Sequence, residues 1–232
     1  MLYTRHIHFI SVEESQSMKI PLAVKKVVVY LVGLFILSAG VVFSIRSGLG
    51  VSPVSSLPYI LSLILDVYVG RVITVVMILL VLTQILLLRK KFKLLSLSQI
   101  AFSVFFGYFV DFIMFLTRGI NVAFYPVQFA LLVVSIFFLS LGIAIIIETG
   151  IAPLPFESMV SALTEVIPGS RFHVLKIVMD TVFALSALGL ALYFFRNPQG
   201  VREGTILTAL LVGKMLPFSK KLALPVLKKV GV

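Results

Sequence analysis

The sequence predicts an all-α, polytopic integral membrane protein with six transmembrane helices and two short half-depth helices, arranged as two inverted repeats. Three observations carry this. The chain is 60% hydrophobic and 12% charged, with mean hydropathy +1.16. A soluble domain carries about a quarter charged residues, so there is too little polar surface here to cover a water-facing globule. The apolar residues gather in runs separated by short loops, and the pattern long-short-long-long occurs twice.

The elements follow in order. Residues 1–26 read as an N-terminal cytoplasmic tail. Its first part, Met1 to Ser17, is too long and too charged ahead of the apolar run for a simple signal peptide, and Met18-Lys19 is an alternative start. A first membrane repeat spans 27–117. It holds a long run from Val27 to Ile45, a short one from Pro53 to Leu65, and long ones from Val72 to Leu88 and Ser98 to Leu116. A second repeat spans 127–216, with runs at Val127 to Ile147, Pro155 to Ile167 (short), Val174 to Phe195 and Gly204 to Leu216. Residues 217–232 carry Lys220, Lys221, Lys228 and Lys229 and read as a basic cytoplasmic tail, interfacial or disordered.

The two halves align residue by residue. Laying Leu37-Ser38-Ala39-Gly40 on Leu139-Ser140-Leu141-Gly142 also lays Ser47-Gly48-Leu49 on Thr149-Gly150-Ile151, Pro53 on Pro155 and Ser56 on Ser158, without a gap. At a slightly different offset, Ser98 to Gly107 falls on Gly204 to Gly213.

Charge decides the topology. Each short run makes only about 20 Å of helix at roughly 1.5 Å per residue, against a hydrocarbon core of about 30 Å. If neither short run crosses and the N-terminus is cytoplasmic, Arg89, Lys90, Lys91, Lys93, Arg171, Lys176 and the C-terminal lysines from Lys214 onward lie inside. Only Arg46, Arg71, Arg118, Arg196 and Arg202 lie outside. Were both short runs to cross, the Arg89–Lys93 cluster would move outside, against the positive-inside rule. Three true spans per repeat make the halves inverted, an architecture of transporters and channels. The turns Gly48-Leu49-Gly50-Val51-Ser52-Pro53 and Gly150-Ile151-Ala152-Pro153-Leu154-Pro155 supply the helix breaks, with Gly48, Gly50, Pro53, Gly150, Pro153 and Pro155 as the breaking residues.

The same composition excludes several classes. The net charge is +11, but it sits in loops between apolar runs and fits anionic headgroups rather than nucleic acid. There is no cysteine, hence no disulfide and no thiolate ligand or nucleophile. His6 and His8 lie in the tail without a third ligand nearby, and His173 stands alone, so no metal is expected. No catalytic triad and no phosphate loop appears. An enzyme is not expected, and neither is a cofactor.

Candidate site residues come from the short helices. Ser55, Tyr59, Ser62 and Asp66 share one helical face, and Glu157, Ser161 and Thr164 hold the repeat-equivalent places, with Ser56 and Ser158 beside them. These stripes either face a shared polar cavity or hydrogen-bond neighbouring helices and headgroups. Arg46 and Glu148, also repeat-equivalent, are either charge gates or interface anchors at helix ends. Asp111 and Asp180 sit inside spans, where an acidic residue is a functional hypothesis by default. The alternatives are an Asp111–Arg118 pair and an Asp180–Lys176 pair. Gln84 reads as an interhelical hydrogen bond. Phe102, Phe105, Phe106, Phe109 and Phe112 read as packing or lipid-facing residues, with no aromatic cage.

On the Gly-Leu-Gly-Val-Ser-Pro turn, the Glu203-Gly204-Thr205-Ile206 start of the last helix and the Ala209-Leu210-Leu211-Val212-Gly213 run, the chain resembles the YczE/YyaS/YitT group of bacterial membrane proteins. The resemblance covers roughly Val27 to Leu216. It implies a bacterial inner-membrane location and assigns no catalytic residue. The function expected is a small secondary transporter or channel-like permease for a small polar or charged solute, with proton coupling through Glu157, Asp111 or Asp180. The rival is a non-transporting accessory or scaffold protein that binds a partner protein or lipid. Beyond the bilayer and the solute, a homo-oligomer or a membrane partner protein completes the expected partners.

Overall fold

The computed structural model describes residues 21–120 and 122–231. The expectations for His6, His8 and the Met18 start lie outside the described residues. Among the described residues all regular structure is helical. Its α-helices are α1 (Leu22–Ser47), α2 (Pro53–Leu65), α3 (Val69–Leu88), α4 (Ser98–Leu116), α5 (Tyr125–Thr149), α6 (Pro155–Val166), α7 (Phe172–Phe195) and α8 (Glu203–Val230), with short 3-10 turns at Arg89–Lys91 and Leu94–Leu97. Five of them, α1, α3 with its following turn, α4, α5 and α7, are long and apolar enough to cross a bilayer. This is a polytopic membrane protein.

The breaks form where glycine and proline place them. α1 ends on Gly48 at φ 70 and α5 on Gly150 at φ 64, a left-handed conformation that glycine adopts without a Cβ penalty. In each case the glycine N–H returns to the carbonyl three residues back, Ile45 and Ile147, at 3.2 Å. α2 and α6 then open on Pro53 and Pro155 at the first helical position.

α1 and α5 form the centre. Contacts between them run Gly33 to Ile146, Leu37 to Gly142 and Gly40 to Leu139, so the two helices are antiparallel. A Cβ on Gly40 would stand 2.7 Å from the Leu139 nitrogen, and one on Gly142 2.6 Å from the Leu37 nitrogen. Small residues therefore let the two backbones meet. Ser135 Oγ adds a bond across the crossing to the Gly40 carbonyl at 2.8 Å.

The outer helices pack in matching fashion. α4 lies on α1 and α8 on α5, while α2 packs on α7 and α6 on α3. Each short helix thus also rests on a long helix of the other half. The match fails at one seam. α3 is clasped to α4, where Gly70 and Gly107 face each other, Thr74 Oγ1 donates to the Ser103 carbonyl at 3.2 Å and the Gly70 N–H donates to Asp111 Oδ1 at 2.6 Å. α7 does not pack along α8 in this way.

One element differs from expectation. Of the two readings of the chain beyond Leu216, interfacial or disordered, the disordered one fails, because α8 continues through Pro217 and Pro225 to Val230. Ser219, Ala223 and Leu227 recur every four residues and are buried, the last two with Val29 and Ile145, while Ser219 Oγ meets Ser140 Oγ at 2.7 Å. A buried stripe on α5 and α1 holds this segment helical. Lys25 Nζ donates to the Val230 carbonyl at 3.1 Å, so the start of α1 lies beside the end of α8.

Candidate functional site

The starts of the two short helices open onto one cavity of about 410 Å³ inside the bundle. Pro53, Val54 and Ser55 of α2 border it with the preceding Ser52, and Pro155, Phe156 and Glu157 of α6 with the preceding Leu154. α1, α3, α4, α5, α7 and α8 complete the wall, which is mainly apolar. Val54 of α2 also packs against the apolar cluster of Phe156, Val160 and Phe183.

The charged part of the wall is a triad. Lys176 Nζ lies 3.4 Å from Asp180 Oδ2, one turn along α7, and 3.9 Å from Glu157 Oε1. The same ammonium stands 5.0 Å above the Phe156 ring. Phe172, Lys176 and Asp180 come from one face of α7, at a spacing that stacks side chains. Tyr30 reaches the cavity from α1, fully buried, with its ring 4.1 Å from that of Phe102. Four buried side-chain atoms have no hydrogen-bond partner among the described residues: Tyr30 OH, Glu157 Oε2, Asp180 Oδ1 and Gln99 Oε1. The first three belong to cavity-lining residues.

Of the expected stripe, the structure brings only Ser55 and Glu157 to the cavity. Ser56 Oγ donates to the Pro53 carbonyl, Ser62 Oγ to that of Tyr59 and Thr164 Oγ1 to that of Val160. Ser158 Oγ accepts from Gln99 Nε2 at 2.9 Å, Ser161 is exposed, and Tyr59 packs beside Gly200 in the α7–α8 connection. Most of the stripe therefore serves local and interhelical bonds.

The expected charged residues divide as well. Asp180 is in the triad, paired with Lys176 as its spacing suggests. Asp111 instead sits on the N-terminus of α3, whose free N–H groups favour a carboxylate, and Arg118 stacks on Phe115 rather than pairing with it. Arg46 donates to the Met114 carbonyl at 2.9 Å and to Thr117 Oγ1 at 3.3 Å, tying α1 to the end of α4. Glu148 pairs with Lys220 of α8 at 2.9 Å. Both are ties between helices, away from the cavity wall. Gln84 Nε2 donates to the Pro155 carbonyl at 2.9 Å, an interhelical bond as read.

Sequence reasoning missed Tyr30, named Lys176 only as an inside charge and a partner for Asp180, and took Phe102 and Phe106 for packing, although all four line the cavity. The i, i+4 spacing of Phe172, Lys176 and Asp180 was the available signal. Nothing distinguishes Tyr30 within its run of valines and leucines.

The helix breaks are not equivalent in their surroundings. The first is latched by the α7–α8 connection: Val51 N–H donates to the Gly200 carbonyl at 2.9 Å, Gly204 N–H to that of Leu49 at 2.8 Å, and Arg202 to that of Gly48 at 3.0 Å. A Cβ on Gly50, at φ 118, would stand 2.6 Å from Thr205 Oγ1. Gly150, in the second break, has open space around it, and Pro153 is exposed.

Residues 24–221 match the family of unknown function DUF6198. Over 194 residues the chain is 31% identical to the uncharacterized protein YyaS of Bacillus subtilis (strain 168), covering 82% of this chain and 90% of that protein. No solved structure matches. The chain therefore belongs to the DUF6198 family, and the YyaS-like resemblance read from its first turn and last helix holds over most of its length.

Proposed function

We propose that this protein is a small secondary transporter or channel-like permease whose solute passes through the cavity between the two half-helices. The observation that carries the reading is that both short helices begin at one cavity lined by the long helices. Irregular backbone at membrane depth is tolerated where it lines such a space, and transporters place their sites at such breaks.

The inverted six-span topology belongs to the same proposal. If α2 and α6 do not cross, α1 and α5 must run in opposite directions, and their antiparallel contacts agree. Leu37 meets Gly142, and their repeat equivalents Leu139 and Gly40 meet in turn, as a pseudo-two-fold axis through the crossing requires. The alignment of Gly107 with Gly213 sets Met114 on Lys220, the partners of Arg46 and Glu148. α8 is then the sixth span, both ends of the described chain face the cytoplasm, and the bilayer is the bacterial inner membrane.

The unequal seams supply a transport cycle. α3 is closed on α4 by the Gly70–Gly107 contact, while the cavity reaches between α7 and α8 along Lys176, Asp180, Thr208 and Gly213. Alternating access exchanges these two arrangements by rocking one half against the other. Asp111 is engaged at α3, which leaves Glu157 and Asp180 as the groups for proton coupling.

Uptake into proteoliposomes tests the proposal. A panel of amines, amino acids, carboxylates and sugars is compared with protein-free liposomes. Saturable, protein-dependent uptake of at least one class is expected, with loss of that uptake in a folded Glu157→Gln variant. Correctly inserted, folded protein that moves no member of the panel would favour the scaffold reading, and undiminished uptake by Glu157→Gln would remove that residue from the mechanism.

A further inference from the structure

We infer that the cavity binds a primary or secondary ammonium group carried on an apolar body. The inference rests on the proposed transport site and names its ligand class. The charged residues of the wall are Glu157, Asp180 and Lys176, so with all three ionised the cavity is one positive charge short. The half-helix N-termini alone would favour an anion, but Glu157, in the first turn of α6, already supplies one there.

The unpartnered atoms narrow the ligand further. Glu157 Oε2 and Asp180 Oδ1 are buried acceptors without a donor, and Tyr30, fully buried, holds a hydroxyl with neither. Buried polar groups left unpaired are costly and rare, so a donor-rich cation is the missing partner. A protonated primary or secondary amine has at least two N–H donors for the two carboxylate oxygens. A quaternary ammonium has none, and a carboxylate would add acceptors to acceptors.

The rest of the wall sets the body of the ligand. Leu34, Val41, Phe102, Phe106, Ile143 and Val212 offer hydrocarbon and aromatic faces, which suit an alkyl or aryl chain and a cation–π contact near the charge. About 410 Å³ falls within the range of small-molecule sites. A sugar, or a zwitterion enclosed whole, would leave its own polar groups unpaired against this wall. The same ammonium chemistry is offered by a free lipophilic amine and by phosphatidylethanolamine with its phosphate left outside the cavity.

The test uses the full chain in nanodiscs of phosphatidylcholine and phosphatidylglycerol. 4-Phenylbutylamine is titrated by thermal shift and calorimetry beside 4-phenylbutanol, 4-phenylbutyrate and trimethyl-(4-phenylbutyl)ammonium. Saturable binding of the primary amine is expected, about tenfold or more tighter than that of the three controls. Glu157→Gln and Asp180→Asn should each weaken it by about tenfold, and Tyr30→Phe by several-fold, with little change toward the alcohol. Equal affinity for amine, alcohol and acid would overturn the inference, as would full amine affinity in the folded Glu157→Gln and Asp180→Asn variants. Adding phosphatidylethanolamine to the nanodiscs separates the two sources: competition marks the lipid, and unchanged amine affinity marks the free amine. Amine binding without amine or other uptake would refute transport but keep the ammonium site. Uptake of another solute class without amine binding would do the reverse.

Discussion

Replacing Gly142 with valine is expected to destabilise the protein by about 3 kcal/mol and to reduce sharply the yield of monodisperse material. The position lies where α5 crosses α1, and even a Cβ there stands 2.6 Å from the Leu37 nitrogen and 2.8 Å from its Cα. These are backbone atoms, so no side-chain rotation relieves the overlap, and the helices must separate. Separation breaks the Ser135 to Gly40 bond and loosens Leu37 and Leu139 from the central cluster. Gly189 on α7 is the control, because a Cβ there meets nothing within 4 Å. Thermal unfolding followed by size-exclusion chromatography compares Gly142→Val with Gly189→Val. Equal melting temperatures would show that the crossing tolerates a side chain and that the α1–α5 register is wrong.

Gly213→Phe should abolish uptake while leaving the fold intact. In the proposed repeat Gly213 aligns with Gly107. Gly107 is locked against Gly70 and Thr74, whereas a Cβ on Gly213 finds open space at the cavity wall. A phenyl ring there fills the cavity between α7 and α8 and blocks the closure of α8 on α7 that the proposed transport cycle requires. At least a tenfold loss of uptake is expected, with a melting temperature close to that of the unmodified protein. Uptake that persists at full rate in this variant would mean that the solute does not pass through this cavity.

How legible these features were depends on the physics behind each. The helix breaks were readable because glycine at positive φ and proline at a first helical position are local constraints, and Gly48, Pro53, Gly150 and Pro155 serve in those roles. The cavity wall was not readable from polarity. In an apolar medium a serine or threonine most readily bonds the carbonyl three or four residues back in its own helix. Ser56, Ser62 and Thr164 do this, so a polar stripe on a short helix did not mark a cavity. Tyr30, Phe102 and Phe106 face the cavity through tertiary packing that no period reveals. Lys176 was counted among the basic residues that orient the chain, yet its ammonium lies between Glu157 and Asp180. The helical end of α8 was not readable from its lysines, which left a disordered tail open, while the buried Ser219, Ala223 and Leu227 stripe keeps it helical.

The central claim is that one cavity between the two half-helices is reached from both faces of the membrane. The chain contains no cysteine, so a single Ser55→Cys substitution, nearly isosteric at the cavity wall, reports on it alone. Proteoliposomes of defined orientation are treated from one side or the other with a small membrane-impermeant methanethiosulfonate reagent, and modification is followed by mass spectrometry. The account predicts modification from either face. Modification confined to one face, or absent from both in folded protein, would contradict it.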